Sequence, residues 1–561
     1  MADRTSRSRS LVEIRLELTG DAAAVLARSS SEARHRLGSD VERAFSSLLD
    51  VLGIAGPVAA VVESVDDLAI MGGRFIRLRV NDRVCRYSND LLQSVHSYVT
   101  GRLLDPRATP EFLQAWLGSE ASEADYREML TLTSVEAVKQ QAGILLTRAR
   151  ASDYLACLPE LRGEDVSALT QRFDVHTMLC ELLDLGLSLA DVQTIASVFR
   201  RYQEKDVSAS DVVEALIEML RPDRIELRMP LALMRELTTK WDNAKPETFR
   251  VVRDGLFAEL GVVYPTFALV ASDELKPGTF TFTINHLTVP PCVALQPPRL
   301  LVNVPLKEMT GFDAEAAANP VTRKAETVIS SADREQLESR GLVVWDAMGY
   351  FILCLADALR THGECFLDRR TVQGNLEVLK RYVPALVNAV RLTLADEDIA
   401  RVVRALAAEQ IPLNDLPAIL EALLQCDDSV PSDAAVEAAR VALHRLIAEK
   451  YARGTSTLVV YLLDQAIEAE LARGVAHAGG GDAGAPPAEG KEQILAAIRK
   501  ELDYLLKQAP TAATPHFLTR PELRLPLRRL VAREFPRLSV LSHAEIPATT
   551  NIQPVARIAF P

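Results

Sequence analysis

The sequence predicts an α+β multidomain fold in which small α/β units are followed by helical blocks, and this pattern occurs twice. The run 279–284 alternates threonine with phenylalanine or isoleucine, which is typical of a half-buried strand. Segment 402–423 instead repeats apolar residues at three- and four-residue spacing, which predicts helices. The third observation is internal repetition along the chain.

Five stretches of the first half recur in the second half in the same order. They are Ile14 with Ile225, Gly53 and Pro57 with Gly261 and Pro265, the strands 76–81 with 280–285, Leu104, Asp105 and Arg107 with Leu367, Asp368 and Arg370, and segment 187–191 with 411–415. Chance matching of helical patterns is the alternative, but the common order favours a tandem, degenerate duplication. The first copy is expected to lack a small inserted unit that the spacing leaves room for only in the second.

These patterns divide the chain into seven segments. The predicted segments are a disordered tail (1–10), a first-copy split α/β unit (11–115), a first-copy helical block (116–221), a second-copy α/β unit with a small inserted unit (222–360), a helical block (361–474), a flexible linker rich in Gly, Ala and Pro (475–491) and a C-terminal α/β unit (492–561).

Charge argues against nucleic acid as a partner. The formal net charge is −13, from 76 acidic and 63 basic side chains, and an acidic surface repels phosphate backbones. The one basic cluster, at Arg4, Arg7 and Arg9, is interpreted as a solvated tail.

Cysteine usage and hydropathy predict a cytoplasmic protein. Seven cysteines are scattered without a CxxC pair, so free, mostly buried thiols in a reducing compartment are expected. The longest apolar stretch, 347–356, is bounded by Asp346 and Asp357 and is too short for a transmembrane helix, which needs about 20 residues.

No sequence motif for enzyme chemistry is present. The chain contains no GxxxxGK[ST], no GxSxG and no HExxH, so neither a cofactor nor catalysis is expected. The best candidate for a metal site is formed by His362, Glu364 and Cys365, but the sequence shows no second pair of ligands to complete it. A helix-end turn followed by a buried thiol is the favoured interpretation, and no metal site is predicted.

The second half of the chain contains sequence stretches that resemble a known family. The matching stretches are LGVVYP at 260–265, PRLL at 298–301, segment 367–373, segment 406–423 with its NDLPAILEAL, LRRL at 527–530, FP at 535–536, VLSHAEIP at 540–547 and IQ at 552–553. In this order they resemble the cytosolic domain of the FlhA/SctV-type (FHIPEP) export-gate proteins of flagellar and type III secretion systems. VLSHAEIP is the most specific of these stretches.

The resemblance implies a four-part cytosolic domain and a role in protein export. Related proteins assemble into rings beneath the membrane, where export chaperones and substrates dock. It therefore implies a non-enzymatic, ring-forming homo-oligomer that is cytoplasmic or peripheral to a membrane-embedded apparatus, with secretion chaperones, substrates or apparatus components as partners. Family members carry a membrane-spanning half upstream, where this chain has a degenerate soluble copy. The alternative is a structural scaffold of another cytoplasmic assembly that kept the fold and lost secretion.

The resemblance also points to a partner-docking site. The family's docking dimple contains a D-P-A-F-G-L-like run, in whose place this chain has Asn319, Thr322, Arg323 and Lys324, while Leu353 stands where the family has a threonine. Loss of the acid and the aromatic anchor predicts a shallower, more basic site that no longer binds flagellar-type export chaperones. The alternative is that these are ordinary surface and core positions.

Overall fold

A computed structural model describes most of the chain as two compact units. One unit lies within residues 1–253 and 264–369, the other within 254–263 and 370–561. The described residues are 10–29, 32–65, 74–159, 161, 163–203, 205, 207–222, 224–241, 247–426, 432–452, 455, 457–476, 488–508 and 516–560. Among them, no helix combines the length and the apolar character needed to cross a bilayer.

Three small sheets form the β structure of the first unit, with strand orders β2-β1-β3-β4, β6-β5-β7-β8 and β11-β12-β10-β13, and β9 adds to β7. The strands are β1 (Val12–Thr19), β2 (Val58–Val65), β3 (Ile76–Val80), β4 (Arg83–Cys85), β5 (Arg224–Met229), β6 (Thr266–Ala271), β7 (Thr279–Ile284), β8 (Leu287–Thr288), β9 (Cys292–Val293), β10 (Arg299–Val302), β11 (Ala314–Ala318), β12 (Ala325–Ser330) and β13 (Val344–Trp345).

Helices surround these sheets, and the apolar faces of the helices before residue 221 share the main core with β1 and β3. They are α1 (Gly20–Ser29), α2 (Ala33–Val51), α3 (Asn89–Thr100), α4 (Pro110–Ser119), α5 (Glu123–Lys139), α6 (Arg148–Cys157), α7 (Gly163–Arg172), α8 (Val175–Asp184), α9 (Val192–Tyr202), α10 (Ala209–Leu220), α11 (Leu231–Trp241), α12 (Glu247–Leu260), α13 (Arg334–Ser339) and α14 (Ala347–Thr361). The end of α12 falls in the second unit.

The predicted duplication is confirmed by strand pairing. In each copy the first strand lies between a parallel neighbour (β2 or β6) and an antiparallel one (β3 or β7). The antiparallel strand then turns through an asparagine with positive φ, Asn81 or Asn285, into the next short strand. This order matches the text repeats at 76–81 and 280–285.

The paired glycines make the same contact in both copies. Gly53 and Gly261 each have φ of +71°, and a Cβ on either would approach backbone atoms of the facing loop to 2.1 Å at Ala190 and 2.9 Å at Leu413. Directly before each glycine, Leu52 accepts a hydrogen bond from Leu189 at 2.8 Å, and Leu260 accepts one from Leu413 at 2.9 Å. Only glycine tolerates this backbone shape and this closeness together.

One of the five text matches was wrong. Leu367 and Asp368 lie between a 3-10 turn (Gly363–Phe366) and a helix that begins at Arg369, and the first copy has Leu146 and Thr147 in that position, after its own 3-10 turn (Ala142–Leu145). The residues matched from the text, Leu104 and Asp105, lie in a loop between α3 and α4 instead. A leucine–aspartate pair is too short to identify a structural position, so this match carried little weight.

The inserted unit differs between the copies, as expected. The second copy carries the sheet β10–β13 ahead of α14, whereas the first copy has α3 and α4 ahead of α5. The predicted boundary at 115 therefore falls inside α4, and the helical block of the first copy begins with these two extra helices.

The second unit combines a helical block with a parallel sheet of order β16-β15-β14-β17. Its elements are α15 (Arg369–Leu379), α16 (Pro384–Thr393), α17 (Asp396–Ala408), α18 (Leu416–Leu424), α19 (Ser432–Ala442), α20 (His444–Ala452), β14 (Thr457–Leu463), α21 (Gln465–Ala476), α22 (Ala488–Gln508), β15 (His516–Thr519), α23 (Pro521–Val531), β16 (Val540–Ser542) and β17 (Asn551–Ile558).

The C-terminal α/β unit begins earlier than predicted. Strand β14 belongs to the same sheet and α21 to the same core, although β14 and nearly all of α21 lie in the predicted helical block, which ends at 474. Most of the predicted linker, 477–487, and the predicted tail, 1–9, lie outside the described residues.

Strand β17 forms one edge of this sheet. It pairs with β14 on one side only, and the register shifts opposite Pro554, between Val460 and Tyr461. Most of its side chains are exposed.

None of the seven cysteines forms a disulfide, which confirms that part of the prediction. Three are buried, three are half-buried, and Cys157 is exposed, so burial is less complete than expected.

Buried arginines join the helices of the second unit to its sheet. Arg524 (0% exposed) donates to Glu409 at 2.8 Å, while Arg440 (1% exposed) donates to Glu545 at 2.6 Å and to Glu409 at 3.1 Å. Burial alone would raise the pKa of Glu409, but Arg440 and Arg524 hold that pKa below its usual value. Glu545, in the segment VLSHAEIP, also accepts from the Ser542 hydroxyl at 2.8 Å. The most specific text of the sequence is therefore part of an ion-pair network.

We expect Glu545→Gln to destabilise the second unit by about 3–5 kcal/mol, because it removes the nearer of the two carboxylates that neutralise the buried Arg440. Chemical unfolding of the full chain, followed by hydrogen exchange in β15 and β16, measures the change. Asp433→Asn is the matched control, because Asp433 pairs with Arg529 at 2.7 Å with both side chains about half exposed, and such pairs are worth about 0–1 kcal/mol. Equal losses in the two variants would contradict the role given to the network.

Candidate docking site

Four of the five predicted docking residues lie on one hairpin turn. Asn319, Thr322, Arg323 and Lys324 join β11 to β12, and the turn is closed by Asn319 N–H donating to Lys324 O at 2.9 Å. Arg323 adopts φ of 57°, which reverses the chain. Thr322 is exposed, whereas Lys324 is half-buried.

Asn319 braces the turn and does not face solvent. It is 7% exposed, and its Oδ1 accepts hydrogen bonds from the backbone N–H groups of Val321 at 2.8 Å and Thr322 at 3.0 Å. Its Nδ2 donates to Glu326 Oε1 at 2.9 Å. An aspartate here, as the family resemblance implies, would lack that donor and would set a second carboxylate against Glu326. The asparagine therefore suits this particular hairpin.

Glu326 is a buried carboxyl group that the sequence analysis did not single out. It is 7% exposed, and burial raises its pKa to about 7 although the Asn319 hydrogen bond lowers it. Its Oε2 atom finds no hydrogen-bond partner among the described residues. The side chain is therefore partly protonated near neutral pH, which no local text pattern would indicate.

Arg323 points from the turn to the first copy. Its Nη2 donates to the hydroxyl of Ser94, on α3, at 3.3 Å. Its Nε and Nη1 atoms are buried and find no hydrogen-bond partner in the described part of the chain. The guanidinium thus donates to one neutral acceptor, and two of its nitrogens have no hydrogen-bond acceptor among the described residues.

Helix α3 and the loop after it lie against the predicted site. Ala318, the last residue of β11, donates its N–H to Leu104 O at 2.7 Å, and α3 packs on β9. Leu353, the fifth predicted residue, lies half-buried on α14. The turn thus carries four of the five predicted docking residues, and the first copy, which the prediction left out, borders it.

The metal candidate falls on the turn after α14. Ligand atoms of His362, Glu364 and Cys365 lie within 4.8 Å of one another. Burial lowers the pKa of His362 to about 4 although Asp357 raises it, and the Cys365 thiol donates to Leu185 O at 3.7 Å. All three come from one short turn, so the interpretation as a helix-end turn remains our prediction.

Comparison with known proteins matches most of the chain to one family. A model of the FHIPEP family matches residues 177–551. The chain is 26% identical to the low calcium response locus protein D of Yersinia pestis over 312 residues, which are 55% of this chain and 44% of that protein. It is 24% identical to the flagellar biosynthesis protein FlhA of Bacillus subtilis over 355 residues, 63% of this chain and 52% of that protein. The chain spans about half the length of these relatives.

Among solved structures, the fold is similar to that of the CdsV protein of Chlamydia pneumoniae. The TM-score is 0.54 at 24% identity, with 60% of this chain and 98% of that chain covered. CdsV has also been solved in complex with CdsO, and that chain gives a TM-score of 0.53. The likeness shows a shared fold and confirms the mixed helix-and-sheet architecture.

We expect the stability of the first unit to fall as pH rises, because Glu326 takes up a buried charge on ionisation. Its pKa is 4.5 unfolded and about 7 folded, so its favourable contribution is complete below pH 4.5 and is lost as pH rises through 7. Glu326→Gln removes this term and should exceed the native chain in stability by about 1–3 kcal/mol at pH 8, with a smaller gain at pH 5.

Thermal unfolding between pH 5 and 8 measures the difference. The control is Glu315→Gln, at an exposed position on the neighbouring β11. The difference in stability between this variant and the native chain should not change with pH. Parallel stability curves for the native chain and Glu326→Gln would show that Glu326 does not titrate near neutrality.

Proposed function

The chain belongs to the FHIPEP family, and we propose that it is a non-enzymatic protein-docking and self-assembling subunit of a flagellar or type III export apparatus. The family match over 177–551 and the fold shared with CdsV support this role. We place the chain at the cytoplasmic face of that apparatus, with other apparatus proteins, chaperones or export substrates as partners. No cofactor or catalytic step enters the proposal.

Exposed apolar side chains on α15, on α16 and in the turn between these helices are the observation that carries assembly. Tyr382 is 78% exposed and Leu392 is 86% exposed, and Val378 on α15 is 55% exposed. Arg391 pairs with Glu377 at 2.5 Å, which holds the C-terminal end of α16 beside α15. Large apolar side chains with this much exposure are candidates for burial in a protein interface. We call Val378, Tyr382 and Leu392 the assembly surface and propose that a second copy of the chain covers it.

The runner-up is a scaffold of another cytoplasmic assembly that kept the fold and lost export. The replaced docking residues favour it: Asn319 is buried as a brace, and Arg323 is bonded to the first copy. A partner that needs an aromatic anchor in the turn would not find one. The two roles differ in whether an export chaperone binds, and they share self-assembly.

We expect Leu392→Asp to weaken self-association at least tenfold, because burying a charge in an apolar interface costs more than about 1.4 kcal/mol, the equivalent of tenfold in affinity. Light scattering after size exclusion, over a range of protein concentrations, measures the association. Val251→Asp, at a 65% exposed valine of the first unit, is the control and should not change it. A native chain that stays monomeric at every concentration would contradict assembly.

A flagellar-type export chaperone should show no micromolar binding to the full chain, because the turn lacks the Phe whose burial supplies about 150–250 Å². Calorimetric titration measures binding. Micromolar affinity that Leu353→Asp abolishes would instead show that the family's docking mode persists here.

A further inference from the structure

The turn 319–324 is covered by part of the chain's own first copy. We call residues 89–105, which comprise α3 and the loop after it, the cover segment. Hydrogen bonds join it to the turn and to the strand before the turn: Leu104 O accepts from Ala318 at 2.7 Å, and Ser94 accepts from Arg323 at 3.3 Å. The segment thus occupies the space over the turn that a docked partner would use.

Core packing and one lysine hold the cover segment: α3 buries Leu91, Leu92, Val95 and Val99 in the main core, and Lys276 adds an ion pair at its C-terminal end. Lys276 Nζ lies 2.7 Å from Glu128 Oε2 and 3.4 Å from Val99 O, and it stands 4.7 Å from the centre of the Tyr98 ring. Its side chain is 36% exposed and that of Glu128 is 33% exposed. Partly exposed ion pairs are screened by water and salt, so this ion pair is weak and reversible.

The covered arginine is poorly matched to the segment above it. Ser94 supplies one neutral acceptor at 3.3 Å, while Nε and Nη1 are buried without a partner among the described residues. A guanidinium presents a planar fork that a carboxylate fills with two parallel hydrogen bonds. The serine hydroxyl fills one position of a site shaped for a carboxylate.

We propose that the turn 319–324 binds an acidic segment of a partner protein, and that the cover segment occupies this site in cis until the partner displaces it. A glutamate or aspartate of the partner would take the place of Ser94 and bond Arg323 in bidentate fashion. Lys324, the neighbouring cation on the turn, favours the same charge. The proposal rests on the proposed docking function and names the chemistry of one of its partners.

Hydrogen exchange on the full chain tests the match between Arg323 and the cover segment. Ser94→Glu supplies the missing carboxylate from within the chain, so amides of α3 and of the turn should exchange about tenfold more slowly than in the native chain. Ser94→Ala should exchange faster, and Ser119→Glu, at an exposed position on α4, should leave the rate unchanged. Exchange in Ser94→Glu as fast as in the native chain, or faster, would overturn the carboxylate site.

Binding of a fluorescent hexaglutamate peptide to the full chain, with hexalysine as the control peptide, tests displacement. Lys276→Ala loosens the cover segment and should bind hexaglutamate about tenfold more tightly than the native chain, although it removes a positive charge. Ser94→Glu should bind about tenfold more weakly, Arg323→Gln should not bind, and Arg323→Lys should lie between Arg323→Gln and the native chain because it keeps charge without the fork.

Two results would overturn the proposal. Equal binding by Arg323→Gln and the native chain would place any acidic partner elsewhere, and failure of Lys276→Ala to gain affinity would make the cover segment a permanent structural contact. Neither result would bear on self-assembly, because light scattering of Leu392→Asp tests self-assembly independently. Loss of assembly with intact hexaglutamate binding would instead contradict the proposed function alone.

Discussion

The second unit depends on two arginines that have no access to water. Arg440 and Arg524 are nearly fully buried, and each must be surrounded by carboxylates or the fold would carry an uncompensated charge. Glu409 comes from the helical block and Glu545 from the loop after β16, so the network can be complete only when helices and sheet are assembled together. This explains why the sequence VLSHAEIP is so characteristic. Its glutamate, Glu545, pairs with Arg440, and its serine, Ser542, donates a hydrogen bond to that glutamate.

The first unit shows how one framework carries two different insertions. Both copies keep the three-strand arrangement and the close approach at Gly53 or Gly261, where any side chain would collide with backbone. This contact does not constrain the segments that precede α5 and α14. The segment before α5 forms two helices, whereas the segment before α14 forms a sheet. The helical insertion now touches the sheet insertion, through Leu104 and Ala318. Divergence of the copies thus produced a contact that neither copy has alone.

The sequence predicted what local rules decide. Alternation located β7, and the glycine pair aligned the copies. Strand β14 was missed because periodicity alone does not show whether a short apolar run between predicted helices is a strand or a helix. Asn319 was expected to contact a partner, yet it is buried, because its role depends on the hairpin register that brings Glu326 beside it. Contacts between residues far apart in sequence, such as Arg323 with Ser94, leave no local signal.

Pro554 has a consequence for how copies of the chain can associate. It lies in β17, the outermost strand of a sheet, where it offers no N–H and where the pairing register shifts. A proline and a bulge are the devices by which natural sheets prevent a foreign strand from continuing the ladder. Polymerisation by strand addition is therefore disfavoured along this border, so copies that meet here must associate through side chains, whose contacts can be changed one residue at a time.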